Sequence, residues 1–135
     1  FTLFPYTTLF RSPHMGWNTI RKKTDHPILA GINAHAQFYF VHSFYPDPLE
    51  DSDGIAYTSY GIEFASVIAR KNVAATQFHP ELDFDGLCTR IDVYQNYGYF
   101  PPETAEELKA AARRRDAGSA PEILRRFVAR YRGTR

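Results

Sequence analysis

Apolar and polar positions alternate most clearly over residues 38–45. Phe38, Phe40, His42 and Phe44 fall on one side, and Tyr39, Val41, Ser43 and Tyr45 on the other. A period of two predicts a strand, and aromatic residues on both sides predict that both faces are covered. In this reading Pro46 and Pro48 end the strand, and 49–54 is a solvated acidic loop. Two further strands are expected at about 55–59 and 64–70. Lys71-Asn72 reads as a two-residue hairpin turn, with the asparagine tolerating positive φ. A last strand starts at Val73 and ends at the corner Gln77-Phe78-His79-Pro80-Glu81.

Other stretches are read from the same pattern. Gly16 and Asn18 suggest a turn or loop. Arg21-Lys22-Lys23 reads as a solvated basic turn, and 25–32 as a one- or two-turn helix closed by Gly31. Past the corner the period lengthens. A helix is expected over 82–97. Another runs over 104–115, with Thr104 as cap, early glutamates and late arginines. Ser119-Ala120-Pro121 opens a third. There Ile123, Leu124, Phe127, Val128 and Tyr131 form one stripe expected to pack on the body, leaving Arg125, Arg126 and Arg130 solvated.

Composition narrows the setting. A chain of 135 residues is one domain at most. The net charge of +1 is uneven: residues 1–102 hold 7 basic and 10 acidic side chains, residues 103–135 hold 9 and 5. The basic tail interleaves its arginines with glutamates and an apolar stripe, which describes a solvated helix face better than a nucleic-acid partner. The single cysteine, Cys88, excludes an internal disulfide, and a reducing cytoplasm is the simplest location. No apolar run approaches the about 20 residues that span a bilayer, so no membrane partner is expected. Residues 1–12, Phe-Thr-Leu-Phe-Pro-Tyr-Thr-Thr-Leu-Phe-Arg-Ser, fit nothing that follows. They read as a non-native, adaptor-like segment, with a short β segment broken by Pro5 as the structural alternative.

The candidate chemistry sits at the corner. Pro80 disfavours helical backbone at His79, and in an extended segment residues i and i+2 face the same side. His79 and Glu81 can therefore lie with carboxylate against imidazole. That is the base-and-orienter half of a nucleophilic triad. A solvated turn is the alternative. His42, among phenylalanines, reads as a core histidine satisfied by a backbone carbonyl. Met15 and Trp17 are too apolar to leave in water, so they pack or meet a partner.

Four stretches occur in order: Pro13-His14-Met15-Gly16-Trp17-Asn18, Phe38-Tyr39-Phe40-Val41-His42-Ser43-Phe44-Tyr45, Tyr60-Gly61, and Gln77-Phe78-His79-Pro80-Glu81. Together they resemble the class I (triad) glutamine amidotransferases, and among these the amidotransferase subunits of imidazole glycerol phosphate synthase, over residues 13–87. The resemblance implies an α/β fold: the C-terminal half of a flavodoxin-like amidotransferase domain, a mixed β-sheet followed by C-terminal helices. It implies a partial amidotransferase domain at 13–87 and a helical tail at 88–135. It also implies glutamine as substrate, a cyclase subunit as partner in a heterodimer of histidine biosynthesis, and no cofactor or metal. His79 and Glu81 take the triad positions, and Met15, Trp17 and Asn18 the partner interface.

Two departures stand out. The family's subunits continue the corner with Lys-Ser and end within one short helix, whereas here Leu82-Asp83 follow and the chain runs on. That tail looks more like stand-alone amidotransferases similar to the glutaminase domain of GMP synthase. The triad also needs a cysteine on a tight strand-to-helix turn upstream of Pro13. Gly86-Leu87-Cys88 has a superficial likeness to such a turn, but Arg90 stands where glycine is expected, and Cys88 reads as structural. This chain therefore offers no nucleophile and is expected to be inactive alone. A non-catalytic interaction module, a truncated or chimeric reading frame, and a fragment of a GMP-synthase-like enzyme remain as alternatives.

Overall fold

The computed structural model describes residues 2–4 (backbone only), 14–98, 100–115 and 118–132. Three groups of paired strands come first and three helices follow. The strands are β1 Thr2–Phe4, β2 His14–Asn18, β3 Arg21–Lys22, β4 Phe38–His42, β5 Tyr45–Asp47, β6 Gly54–Tyr60, β7 Ile62–Arg70 and β8 Val73–Thr76. The helices are α1 Phe84–Tyr94, α2 Ala105–Arg113 and α3 Ala120–Tyr131. Strand order is β3-β6-β7-β8 in the largest sheet, with β2-β4 and β1-β5 as separate pairs. Every pairing among the described residues is antiparallel.

The β4 reading holds where the alternation is strict and fails where proline was taken as a stop. Phe38 and Phe40 are wholly buried, while Tyr39 points to the opposite face. The strand breaks at Ser43-Phe44, which leaves Phe44 exposed and lets Tyr45 pack against the main core. Pro46 does not end the strand; it lies inside β5, opposite Leu3 of β1. Proline is tolerated in such a short two-stranded ladder at a sheet margin. The remainder of residues 1–12, and Pro13 of the first motif, lie outside the described residues.

Gly16 and Asn18 do not mark a loop. The stretch is β2, paired with β4 in the register His14↔His42, Met15↔Val41, Trp17↔Tyr39. Cross-strand aromatic pairing outweighs the turn propensity of the two residues. Arg21 and Lys23 are not a free basic turn either. Arg21 forks onto Glu63 at 2.7 and 3.2 Å, and Lys23 Nζ donates to the Asp51 carbonyl at 2.8 Å. The expected helix at 25–32 is a single 3₁₀ turn, Pro27–Leu29, and Gly31 follows it at φ 68°. At the β7–β8 turn the residue with positive φ is Lys71 (φ 55°), not Asn72.

The β2–β4 pair divides two cores. On one side Phe38, Phe40, Ile28, Leu29, Phe64, Val67 and Phe78 pack together, closed by Ile123 of α3. On the other, Trp17 and Tyr39 meet Leu87 and Ile91 of α1 and Ala105 and Ala112 of α2. Helix α1 is capped by Asp83, whose carboxylate accepts from Gly86 N at 2.8 Å. Thr104 does not cap α2; its hydroxyl donates instead to the Pro101 carbonyl at 2.7 Å.

Only part of the α3 stripe is buried. Ile123 is sealed and Phe127 packs beside it, but Leu124 and Val128 face solvent. Arg126 is not solvated as expected: its Nη1 is buried without a hydrogen-bond partner, and its guanidinium lies over Gly31. Arg125 and Arg130 are exposed, as read from the sequence. Among the described residues no helix is long and apolar enough to cross a membrane.

Candidate active site

The chain beyond β8 is stitched by its backbone first to β7 and then to β4. Gln77 N donates to the Ser66 carbonyl at 2.8 Å, Phe78 bridges to Phe40, and His79 N donates to the Tyr39 carbonyl at 3.0 Å. Phe78, 3% exposed, anchors the segment between Phe38 and Phe40. His79 is thereby held at a fixed place beyond the sheet, while Pro80 and Glu81 turn away from it.

His79 Nδ1 and Glu81 Oε1 are 2.7 Å apart. A carboxylate only accepts, so the imidazole donates from Nδ1 and keeps Nε2 as its basic nitrogen. Burial raises the Glu81 carboxyl; the hydrogen bond from His79, then a backbone hydrogen bond and the charges of His79 and, least, Arg90 together outweigh it and hold the group below its ordinary range. Arg90 Nη2 lies 3.9 Å from the same carboxylate oxygen. The pair is open enough for a reactant to approach, with His79 31% and Glu81 51% exposed. The arrangement can accept a proton at Nε2, stabilise the imidazolium formed, and return the proton.

Cys88 does not complete it. It lies on α1, and among the described residues no hydrogen bond links it to His79. Gly86 belongs to the first turn of a capped helix, not to a strand-to-helix elbow. Burial pushes the Cys88 thiol up, which lowers its thiolate fraction. No group of three or more His, Cys, Asp or Glu among the described residues could hold a metal ion.

The three residues read as a partner interface are split by the strand. Met15 and Trp17 are half-buried on the side of α1 and α2, where Trp17 meets the Tyr39 ring edge-on. Asn18 faces the other way: its amide nitrogen donates to the Ser59 carbonyl at 3.0 Å, and its oxygen accepts from Thr19 N. A groove of about 250 Å³ between β2–β4 and α1 is lined by residues that include Met15, Tyr39, Val41, Leu87 and Arg90.

The family model described as glutamine amidotransferase class-I matches residues 7–119. The chain belongs to that family. The chain is 49% identical over 69 residues to imidazole glycerol phosphate synthase subunit HisH 2 of Pseudomonas aeruginosa, covering 51% of this chain and 34% of that protein. It is 52% identical over 69 residues to the HisH subunit of Methanocaldococcus jannaschii, covering 51% and 35%. With the HisH subunit of Neisseria gonorrhoeae it shares 38% over 93 residues, covering 69% and 44%. The chain thus spans less than half the length of the curated relatives it matches, from 34% to 45%. The expected α/β class, strands followed by C-terminal helices, stands with the family.

Sequence reasoning missed one polar element. His14 Nδ1 and His42 Nε2 are 2.9 Å apart, and His42 Nδ1 is 2.8 Å from the Phe44 carbonyl. The carbonyl only accepts, so His42 donates from Nδ1, and its Nε2 accepts the Nδ1–H of His14. The Asn18 amide lies 3.5 Å from the remaining His14 nitrogen. Both imidazoles are thus neutral links in one chain across β2 and β4. His14 is stacked between Phe40 (4.6 Å) and Tyr60 (3.9 Å). Burial, then the neighbouring His42, lowers the His14 pKa to about 4; burial also lowers that of His42. The carbonyl partner of His42 was legible. The partner on β2 was not, because β2 had been taken for a loop.

Proposed function

We propose that this chain carries the base-and-orienter half of a glutamine-hydrolysing site, in an amidotransferase that delivers ammonia to a cyclase subunit for imidazole glycerol phosphate synthesis. The observation that carries this reading is the His79 Nδ1–Glu81 Oε1 contact of 2.7 Å at the end of a backbone-anchored segment. The names of the HisH relatives support the biosynthetic assignment. In the reaction a cysteine thiolate attacks the glutamine carboxamide carbon, and His79 Nε2 supplies the proton on which ammonia leaves. Water then enters with His79 as base, and Glu81 stabilises the imidazolium at both steps. In this reading the thiolate comes from a segment other than residues 1–135, since Cys88, the sole cysteine, lies on α1 with no hydrogen bond to His79 among the described residues. Met15 and Trp17 serve the partner interface, with Asn18 bracing the strand behind them, and the setting is cytoplasmic.

A glutaminase assay of the chain by itself tests this reading. No ammonia above background is expected, and Cys88→Ser should change nothing. Cys88-dependent release of ammonia by the chain alone would overturn the assignment of roles.

A further inference from the structure

The corner explains why histidine and carboxylate meet, but not why a guanidinium stands beside the same carboxylate. Arg90 Nη2 stands 3.9 Å from Glu81 Oε1, the same oxygen that accepts His79 Nδ1–H at 2.7 Å. Arg90 is held there by its own helix. Leu87 and Ile91 on α1 are buried, and Asp83 caps the start of that helix. Arg90 and Tyr39 line the same groove, and Tyr39 is the residue whose carbonyl accepts His79 N–H. Three side chains therefore converge, His79 and Glu81 of the corner and Arg90 of α1, at a segment tied by its backbone to Tyr39 of β4.

One oxygen shared between an imidazole and a guanidinium has a chemical consequence. A bare carboxylate against a histidine stabilises the imidazolium strongly, and a base that is already protonated cannot act. A cation on the far side of the same oxygen draws down its negative potential. The carboxylate still orients the ring but stabilises its charge less. We infer that Arg90 is a positioning residue that moderates Glu81, so that His79 is oriented by the carboxylate without being locked in its protonated form. This inference rests on the reading of His79 as general base, but Arg90 acts on Glu81 whether or not that reading holds.

The test is therefore made first without turnover. The Glu81 side-chain carboxyl is titrated by NMR in the full chain, as wild type, Arg90→Gln and Arg90→Lys. Removing the charge should raise the Glu81 midpoint by about half a pH unit, the order expected for unit charges roughly 4 Å apart in a solvent-exposed site. Arg90→Lys should stay within about 0.2 unit of wild type, because the charge is kept. If Arg90→Gln fails to fold, raising the salt on wild type should move the midpoint upward by screening the same pair. An unmoved midpoint in Arg90→Gln, or in wild type at high salt, overturns the inference. So does Arg90→Lys shifting as far as Arg90→Gln. In a catalytically completed domain, Arg90→Gln should lower kcat with little change in KM and move the acid limb of the profile to higher pH. A shifted Glu81 midpoint with no turnover in any completed domain would sink the glutaminase reading and leave Arg90's action on Glu81 standing.

Discussion

Acid should unfold this chain through the His14–His42 pair before its carboxylates protonate. In the folded state both rings are neutral, His14 at 2% and His42 at 9% exposure, with every link of the chain using a neutral tautomer. Protonating His14 would place a buried cation between two aromatic rings. The folded pKa of about 4 lies below the ordinary 6.5, so between these values the unfolded chain binds a proton that the folded chain refuses. Stability is therefore present above pH 6.5 and lost as pH falls toward 4. The linkage relation gives a loss of about 2 kcal/mol for His14 between pH 7.5 and pH 5, and His42 adds to it with the same sign. The assay is urea unfolding followed by the fluorescence of Trp17, the sole tryptophan, at pH 7.5, 6.0 and 5.0. The midpoint should fall while the slope with urea stays constant. His14→Phe keeps a ring between Phe40 and Tyr60 but strips His42 Nε2 of its donor. It should cost about 1–3 kcal/mol at pH 7.5 and remove most of the acid dependence. A wild-type midpoint that is flat from pH 7.5 to 5, or a His14→Phe variant with the full wild-type dependence, would refute the reasoning.

Other outcomes follow from the packing. Ile123→Ala should cost about 2–4 kcal/mol in a thermal or urea melt, because it empties the contact between α3 and the main core, whereas the exposed Leu124→Ala should stay within about 0.5 kcal/mol. Asp53→Asn should destabilise by about 1–3 kcal/mol, since the buried carboxylate receives Arg70 at 2.9 and 2.6 Å and an amide cannot accept both contacts. The exposed Val41, Val93, Tyr94 and Tyr97 should bind a hydrophobic dye and make the purified chain prone to aggregate. A sharp cooperative melt of a dye-silent monomer would count against that expectation. Deleting residues 118–135 should lower stability without changing the Glu81 titration, and salt-sensitive binding of DNA by the tail would instead point to a nucleic-acid surface.

What the sequence disclosed depended on whether neighbours in the chain set the geometry. His79 and Glu81 are two residues apart with a proline between them, so their closeness was legible locally, but a turn closed by Leu82 N donating to the His79 carbonyl at 3.3 Å brings them together, not the extended segment expected. The β6–β7–β8 meander was legible because its apolar runs are continuous and its turns short. The β2 strand was not, because Gly16 and Asn18 favour turns and only the distant β4 supplies the aromatic partners that overrule them. Arg90 was read only as a missing glycine; its closeness to Glu81 depends on how α1 folds back beside the corner. Arg126 and the exposed Leu124 and Val128 show the same limit. A helical period says which residues share a face, but the body on which α3 lands decides how wide the buried stripe is.

The most direct test supplies the cysteine half of the site that the proposed function places outside residues 1–135. The chain is combined with the cysteine-bearing N-terminal segment of a HisH relative and its cyclase subunit, and ammonia release from glutamine is measured for wild type, His79→Ala and Glu81→Gln. The account predicts turnover only in the combined protein, its loss by several orders of magnitude in His79→Ala, and a smaller loss in Glu81→Gln. Full activity in His79→Ala would contradict it.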